Sequence, residues 1–250
     1  MTETAAKPKL KDLSKYAKNV GTPRKLGDTM TALFYALKGV GKTTVAASAD
    51  WVPSMSPCVL MAFEEGSSSI GEAHPDMPVI RPEDWDDALD FFEAALNEDL
   101  GIQTIIIDTV AEAHNYILEW SVATFGDTDG FKKWANVYDE FAKVLKALHK
   151  KGINVICLAH ADRVKDNVAQ SIYTAPYFLG NKSDTELPKI FDIIGYMFME
   201  EDGTRVMQLE PSSRIVAGNR SEGRLPAEIE NPTMEKIVKA LNENPARVIQ

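Results

Sequence analysis

From residue 28 onward the chain alternates short apolar runs with amphipathic stretches. Short apolar runs bounded by turn residues read as buried strands. Apolar residues recurring every three to four positions read as helices. The runs at 29–36, 58–63, 104–107 and 154–159 are predicted strands, with 78–80 a shorter extended piece. A helix is expected over 43–51. Pro82 is expected to open the next one, since its missing N–H costs nothing in a first turn. In that helix Trp85, Ala88, Leu89, Phe92, Ala95 and Leu96 share one face. Val110–Phe125 reads as helix, 126–130 as a polar loop and 131–151 as a long helix. Phe131, Trp134, Tyr138, Phe141, Leu145 and Leu148 recur there at helical spacing, a core-packing stripe. Residues 161–182 form a long polar segment with mixed aromatics, and a loop of that length in a compact domain is usually functional. Strand-like runs near 191–199, 205–210 and 213–217 follow, then a helix near 233–243. Strands alternating with helices predict an α/β fold with a mostly parallel central sheet flanked by helices. No internal repeat or low-complexity tract interrupts the pattern.

Composition agrees with that picture and charge complicates it. The 250 residues suffice for one α/β domain with a sizeable core. At 44% hydrophobic and 26% charged, the chain reads as globular rather than disordered. No apolar run approaches the roughly 18 to 20 residues a membrane span needs, and the basic N-terminus lacks the apolar stretch of a signal peptide. The expected location is cytoplasmic, with no membrane partner. The two cysteines, Cys58 and Cys157, sit in apolar runs and read as reduced core thiols. The net charge of −10 argues against nucleic acid at first sight, but it is uneven. Lys7, Lys9, Lys11, Lys15, Lys18, Arg24 and Lys25 face only Glu3 and Asp12 in the first 25 residues, a net of +5 that leaves −15 on the rest. The expected organisation is a basic arm over residues 1–27 and one core domain over 28–250. A basic arm on an acidic body can touch phosphates or a neighbouring acidic subunit.

The first chemical motif is Ala36-Leu-Lys-Gly-Val-Gly-Lys-Thr-Thr44, lying between a predicted strand and a predicted helix. That context is what separates a phosphate-binding loop from a chance match. Gly39 and Gly41 let backbone N–H groups curl around phosphate oxygens. The following helix presents its positive end to the same anion. Gly39, Val40, Gly41, Lys42, Thr43 and Thr44 are therefore the expected cradle for ATP. Lys42 faces the β and γ phosphates, and the Thr43 hydroxyl is placed for Mg²⁺. An apolar strand then delivers Asp108 at its C-terminal end, where ligands of open α/β sheets bind. Asp108 is expected to hold the metal through a bound water. Hydrolysis also needs a carboxylate to orient water. The strand before Glu64 and Glu65 supplies two, and neighbouring strand residues face opposite sides, so only one of them points at the γ-phosphate. Parity alone does not choose between them. His160 ends the strand 154–159 beside the expected γ-phosphate, as a candidate sensor of phosphate state.

Gly-Val-Gly-Lys-Thr-Thr, Glu-Glu-Gly, Ile-Ile-Ile-Asp-Thr and Asn-Val-Ile-Cys-Leu-Ala-His, in that order, resemble the phage-encoded RecA-like ATPases, core-only relatives of RecA that act as recombinases or single-strand annealing proteins. Glu186-Leu-Pro188, Phe191-Asp-Ile-Ile-Gly195, Ala217-Gly-Asn-Arg220 and Leu225-Pro226 extend the resemblance over about residues 28–242. It implies a RecA-like P-loop NTPase core with antiparallel C-terminal strands, and ATP hydrolysis stimulated by DNA. Glu65 resembles the hydrolytic glutamate of an acid-x-Glu-Gly pattern. Phe63 stands where an acid is usual, which keeps Glu64 a candidate. Arg220 resembles a cation reaching ATP across a subunit interface, with Gly218 where many relatives carry a lysine. The loop after Phe125 and the 161–182 segment correspond to DNA-holding loops. There Lys132, Lys133, Arg163, Lys165 and Lys182 are expected to reach phosphates, and Tyr173, Tyr177 or Phe178 to stack on bases. The implied partners are single-stranded DNA, further copies of the chain in a ring or filament, and a single-strand-binding protein. The competing readings are another RecA-like motor of helicase or packaging type, a small-molecule phosphotransferase, and a non-hydrolysing nucleotide switch. DNA-stimulated phosphate release separates the DNA-dependent readings from the last two.

Overall fold

The structure, a computed structural model, describes residues 26, 28–65, 67–126, 130–166 and 171–246. The basic arm expected over 1–27 therefore lies outside the described residues, apart from Leu26. Strands β1 (Thr31–Ala36), β2 (Cys58–Ala62), β3 (Val79–Ile80), β4 (Thr104–Asp108), β5 (Asn154–Asp166) and β7 (Ile193–Met199) are joined in parallel in the order β3-β2-β4-β5-β1-β7. Beyond β7 the sheet turns antiparallel through β8 (Arg205–Gln208) and β10 (Glu228–Glu230). Two short strands lie off this path. β6 (Ser171–Pro176) pairs with the far half of β5, and β9 (Gly218–Asn219) pairs with β7. A mostly parallel sheet with antiparallel C-terminal strands is the expected arrangement.

Strand alternation divides the core into two layers. In β1, Ala32, Phe34 and Ala36 pack on one face, under α1 (Lys42–Ala47) and α6 (Met234–Glu243). Leu33 and Tyr35 pack on the other, under α2 (Trp85–Asn97), α3 (Val110–Phe125) and α4 (Gly130–Lys151). The predicted helical stripes do the covering: Trp85, Ala88, Phe92 and Ala95 from α2, and Phe141, Leu145 and Leu148 from α4 are buried. Cys58 and Cys157 are free, buried thiols, and burial raises the pKa of both.

Several boundaries differ from the sequence expectation. Pro82 does not open α2. Asp84 caps it instead, its side chain accepting from the Asp87 N–H, and an anionic cap satisfies an orphan donor better than a proline does. The expected 43–51 helix stays α-helical only to Ala47 and tightens into a 3-10 turn over Ser48–Trp51. The run at 213–217 is not a strand. It is held by an isolated bridge between Thr174 and Ile215, while β9 and β10 had no clear pattern in the sequence.

The largest correction concerns 161–182. β5 does not stop at Ala159 but runs on through His160 to Asp166, and β6 returns antiparallel beside it. A short helix α5 (Asn181–Glu186) follows. Alternating polar and apolar residues, Val164, Ile172 and Tyr173 among them, suit a two-faced hairpin, and polarity alone had hidden that period. Tyr35 ties this hairpin to the central strand. Its buried hydroxyl donates to Val216 O at 2.7 Å and lies 3.2 Å from Thr174 O.

Tyr35→Phe leaves those two carbonyls without that donor. It should cost about 1–3 kcal/mol in urea unfolding with an unchanged m-value. An unchanged midpoint would show that the hydroxyl contributes nothing.

Candidate nucleotide site

The loop after β1 makes its turn with Gly39 at φ +83° and Gly41 at φ +102°, backbone positions that side chains resist. Gly41 caps α1, so Lys42 begins the helix with its N-terminus open to the cleft. Lys42 is buried, at 7% exposure, and its Nζ lies 3.4 Å from Ala36 O and from Leu37 O. Burial pulls the Lys42 pKa down, opposed by the charges of Asp108 and Glu64. The Thr43 hydroxyl donates to Asp108 Oδ2 at 2.8 Å.

Three further side chains reach the same cleft for one geometric reason. Ala62 on β2 lies level with Asp108 on β4, which lies level with Leu158 on β5. Ala62, Ile106 and Leu158 belong to the layer under α1, so by alternation Asp108 faces that layer too. Glu64 and His160 follow two residues beyond Ala62 and Leu158, one row further out on the same face. They meet there, with His160 Nε2 and Glu64 Oε2 3.3 Å apart. Phe63 turns the other way, packing on Trp85 and Tyr116. The Phe63 and Glu64 N–H groups both donate to Asp108 O, at 2.8 and 3.2 Å. Glu65 is exposed at the rim.

Asp108 is buried, which holds its carboxyl above the usual range. The Thr43 hydrogen bond and the Lys42 and His160 charges oppose that shift, and Glu64 adds to it. Thr109 caps α3 by position only: its buried hydroxyl has no partner among the described residues. The cleft holds about 400 Å³ and is lined by Lys38, the glycine loop, Thr43, Thr44, Glu64, Glu65, Asp108, Thr109, His160 and Arg205. Its oxygen donors, the Thr43 hydroxyl and the Asp108 carboxylate, suit a hard cation such as Mg²⁺. No cluster of three or more His, Cys, Asp or Glu capable of holding a metal occurs among the described residues.

The remaining candidates are dispersed. Arg163 and Lys165 project from the exposed hairpin; opposite them lie Thr174 and Ile172. Directly opposed residues share a face, so Tyr173, opposite Val164, lies on the other side of the hairpin. There it lines a separate cavity of about 240 Å³ with Asp162 and Asp184. Tyr177 is 41% exposed and Phe178 is buried, its ring beside His114. Lys182 is paired with Asp139 at 2.7 Å and sits over the Tyr138 ring. The side chains of Lys132 and Lys133 lie outside the described ones, as do residues 127–129 of the loop after Phe125. Arg220 is not in the cleft. It binds Asp192 Oδ1 at 3.2 Å and Lys189 O at 2.6 Å, next to Thr31 at the amino end of β1. The phosphate loop leaves the carboxyl end of that strand, six residues on, roughly 17–20 Å away. Arg205 and Thr109 were missed by sequence reasoning. Arg205 arrives through the antiparallel end of the sheet, and no local spacing announces it.

A glycine loop opening a helix, facing an acid at the end of a nearby parallel strand, defines a P-loop nucleotide site. A family model described as AAA domain matches residues 28–221. The chain belongs to the AAA domain family. A search of curated proteins finds no match. Among solved structures, one titled "Crystal structure of the RadB recombinase" is 14% identical with a TM-score of 0.48, covering 80% of this chain and 86% of that one. No helix among the described residues is long and apolar enough to cross a membrane.

The raised Asp108 pKa has a stability consequence. A carboxyl whose folded pKa exceeds its unfolded value near 3.8 costs stability once pH rises through that window, and costs nothing below it. Asp108→Asn should therefore raise the melting temperature of the nucleotide-free protein at neutral pH, and the gain should vanish in strong acid. A lower melting temperature at neutral pH would contradict this electrostatic account.

Proposed function

We propose that the chain hydrolyses ATP with Mg²⁺ and uses nucleotide state to control its grip on single-stranded DNA. This is the chemistry of a RecA-like protein that pairs or anneals strands in phage recombination, working as a ring or filament of copies. One strand carries the reading. β5 brings His160 into the cleft and then, three and five residues later, holds Arg163 and Lys165 on an exposed hairpin.

In this reading the Lys42 ammonium meets the β and γ phosphates, and Thr43 with Asp108, through water, holds Mg²⁺. When bound, the metal neutralises charge on the β and γ oxygens. Glu64 orients the attacking water, because it shares the α1 face and the electrostatic field of Lys42 and Asp108, whereas Glu65 lies at the rim. The Glu64–His160 contact supplies the coupling. A γ-phosphate competes for His160, and the change passes along β5. The His160 carbonyl also accepts from the Tyr177 N–H at 2.8 Å, so both ends of the hairpin are tied to that residue.

The DNA track narrows to Arg163 and Lys165, with exposed Ile172 and Tyr177 as apolar and stacking contacts. Lys182 is already neutralised by Asp139, which weakens its claim. Arg220 lies at the sheet edge opposite its own cleft. Any nucleotide it serves is therefore a neighbouring copy's, and that role presupposes the ring or filament.

Glu64→Gln should keep ATP binding and lose about 10² to 10⁴ in phosphate release. Glu65→Gln should lose less, and Lys42→Ala should abolish turnover. The reverse ranking of the glutamates would transfer the role to Glu65.

Single-stranded DNA affinity, measured with ATP, with ADP and without nucleotide, should be highest with ATP. Arg163→Ala/Lys165→Ala should weaken it and reduce the slope of log affinity against log salt by about 1.4, two phosphate contacts' worth. Equal affinity in all three states, or an unaffected double variant, would favour a phosphotransferase or a simple nucleotide switch.

A further inference from the structure

Arg205 opens β8 directly after a tight turn. In that turn Gly203 takes φ +88°, its N–H bonds to Glu200 O at 3.0 Å, and the Glu200 N–H bonds to Thr204 O at 2.9 Å. Asp202 Oδ1 accepts from the Thr204 N–H at 2.8 Å. The Arg205 backbone is pinned on both sides, by Met199 on β7 and by the Asn231 N–H, which donates to Arg205 O at 2.6 Å. β8 lies two places from β1 in the sheet, roughly 10 Å, so only a long side chain spans the gap.

Arg205 spans it. Its Nε–H donates to Val40 O in the phosphate loop at 3.0 Å. Gly41 leaves room for it: a Cβ there would come within 3.2 Å of Nε, 3.6 Å of Cδ and 3.9 Å of Cζ. The guanidinium thus lies against the backbone of the loop and lines the cleft. Among the described residues no carboxylate is paired with it. Thr43 and Asp108 meet each other in the same cleft, whereas Arg205 holds the Val40 carbonyl.

We propose that Arg205 is a phosphate-contacting residue supplied by the same chain, its Nε held on the Val40 carbonyl and its two terminal nitrogens bonding α- and β-phosphate oxygens. The proposal rests on the nucleotide-site reading above and adds a cation to it. A planar guanidinium engages the loop and an anion at once through a fixed fork of donors. A lysine supplies the charge without the fork. Because ATP and ADP share those phosphates, the contact is read in the affinity for either nucleotide.

The test is calorimetric binding of Mg·ATP, Mg·ADP and inorganic tripolyphosphate to wild type, Arg205→Ala, Arg205→Lys and Lys42→Ala, with turnover at saturating ATP. Arg205→Ala should weaken all three ligands by a common factor of about 10 to 100, the worth of a hydrogen bond to a charged group. Arg205→Lys should recover part of that loss. Three results would overturn the proposal. A loss confined to the nucleotides would assign Arg205 to the base. Unchanged affinities with a lower melting temperature would make it a strut for the loop. Lost turnover with intact affinity would place it on the reacting phosphate. If wild type binds none of the ligands, or Lys42→Ala binds them as wild type does, the nucleotide-site reading fails first and takes this one with it.

Discussion

The burial of Lys42 and Asp108 in one cleft is the constraint around which the rest of the structure is arranged. For both groups desolvation is the dominant influence, and their mutual attraction does not cancel it. A cleft with two such charges is costly to form and is worth forming only if ligands of complementary charge complete it. The surrounding architecture keeps the pair in place. The glycine turn and α1 carry the ammonium, the Thr43 hydroxyl pins the carboxylate, and the Phe63 and Glu64 amides fasten the chain after β2 to the Asp108 carbonyl. The protein gives up stability locally for preorganisation, which is how a phosphate site avoids paying reorganisation when its ligand arrives.

The same sheet that builds the cleft connects it to the outer surface. Tyr35 lies on the layer opposite α1, yet its hydroxyl reaches the hairpin strand at Thr174 and the neighbouring segment at Val216. His114, buried and neutral with its pKa driven down to about 3, accepts from the Leu179 N–H where the chain leaves the hairpin. The hairpin is thus anchored to β1, β5 and α3, the three elements that also frame the nucleotide cleft. In the proposed coupling, a displacement of His160 by a γ-phosphate would pass through these anchors to the hairpin.

How much of this was legible in the sequence depended on whether the information was local. The glycine loop, Lys42, Thr43 and Asp108 were readable because strand, turn and helix follow one another along the chain. The mostly parallel character of the sheet and the two helical stripes on α2 and α4 were readable from period, while the strand order was not. Alternation alone left Glu64 and Glu65 level, because it gives two faces; the register of Ala62 against Asp108, which puts Glu64 on the α1 face, comes from sheet pairing and not from local spacing. The hairpin was hidden for a related reason. Its residues are mostly polar, and pairing partners such as Val164 and Tyr173 stand apart in sequence. Arg205 and Arg220 are set by contacts spanning 165 and 28 residues, with Val40 and Asp192. No spacing rule foretells contacts brought about by closure of the sheet.

The ion pair of Arg220 with Asp192 stands at the amino edge of the sheet and the cleft at the carboxyl edge. If copies meet end on, so that this arginine serves the next copy's cleft, the contact is heterologous, unlike surfaces joined head to tail. Completion of sites then becomes a matter of counting ends. A pair of copies finishes half its clefts, an open chain finishes all but the one at its terminus, and a closed ring finishes every one. Turnover per copy in such an assembly rises with its length, and growth of the assembly is itself the switch.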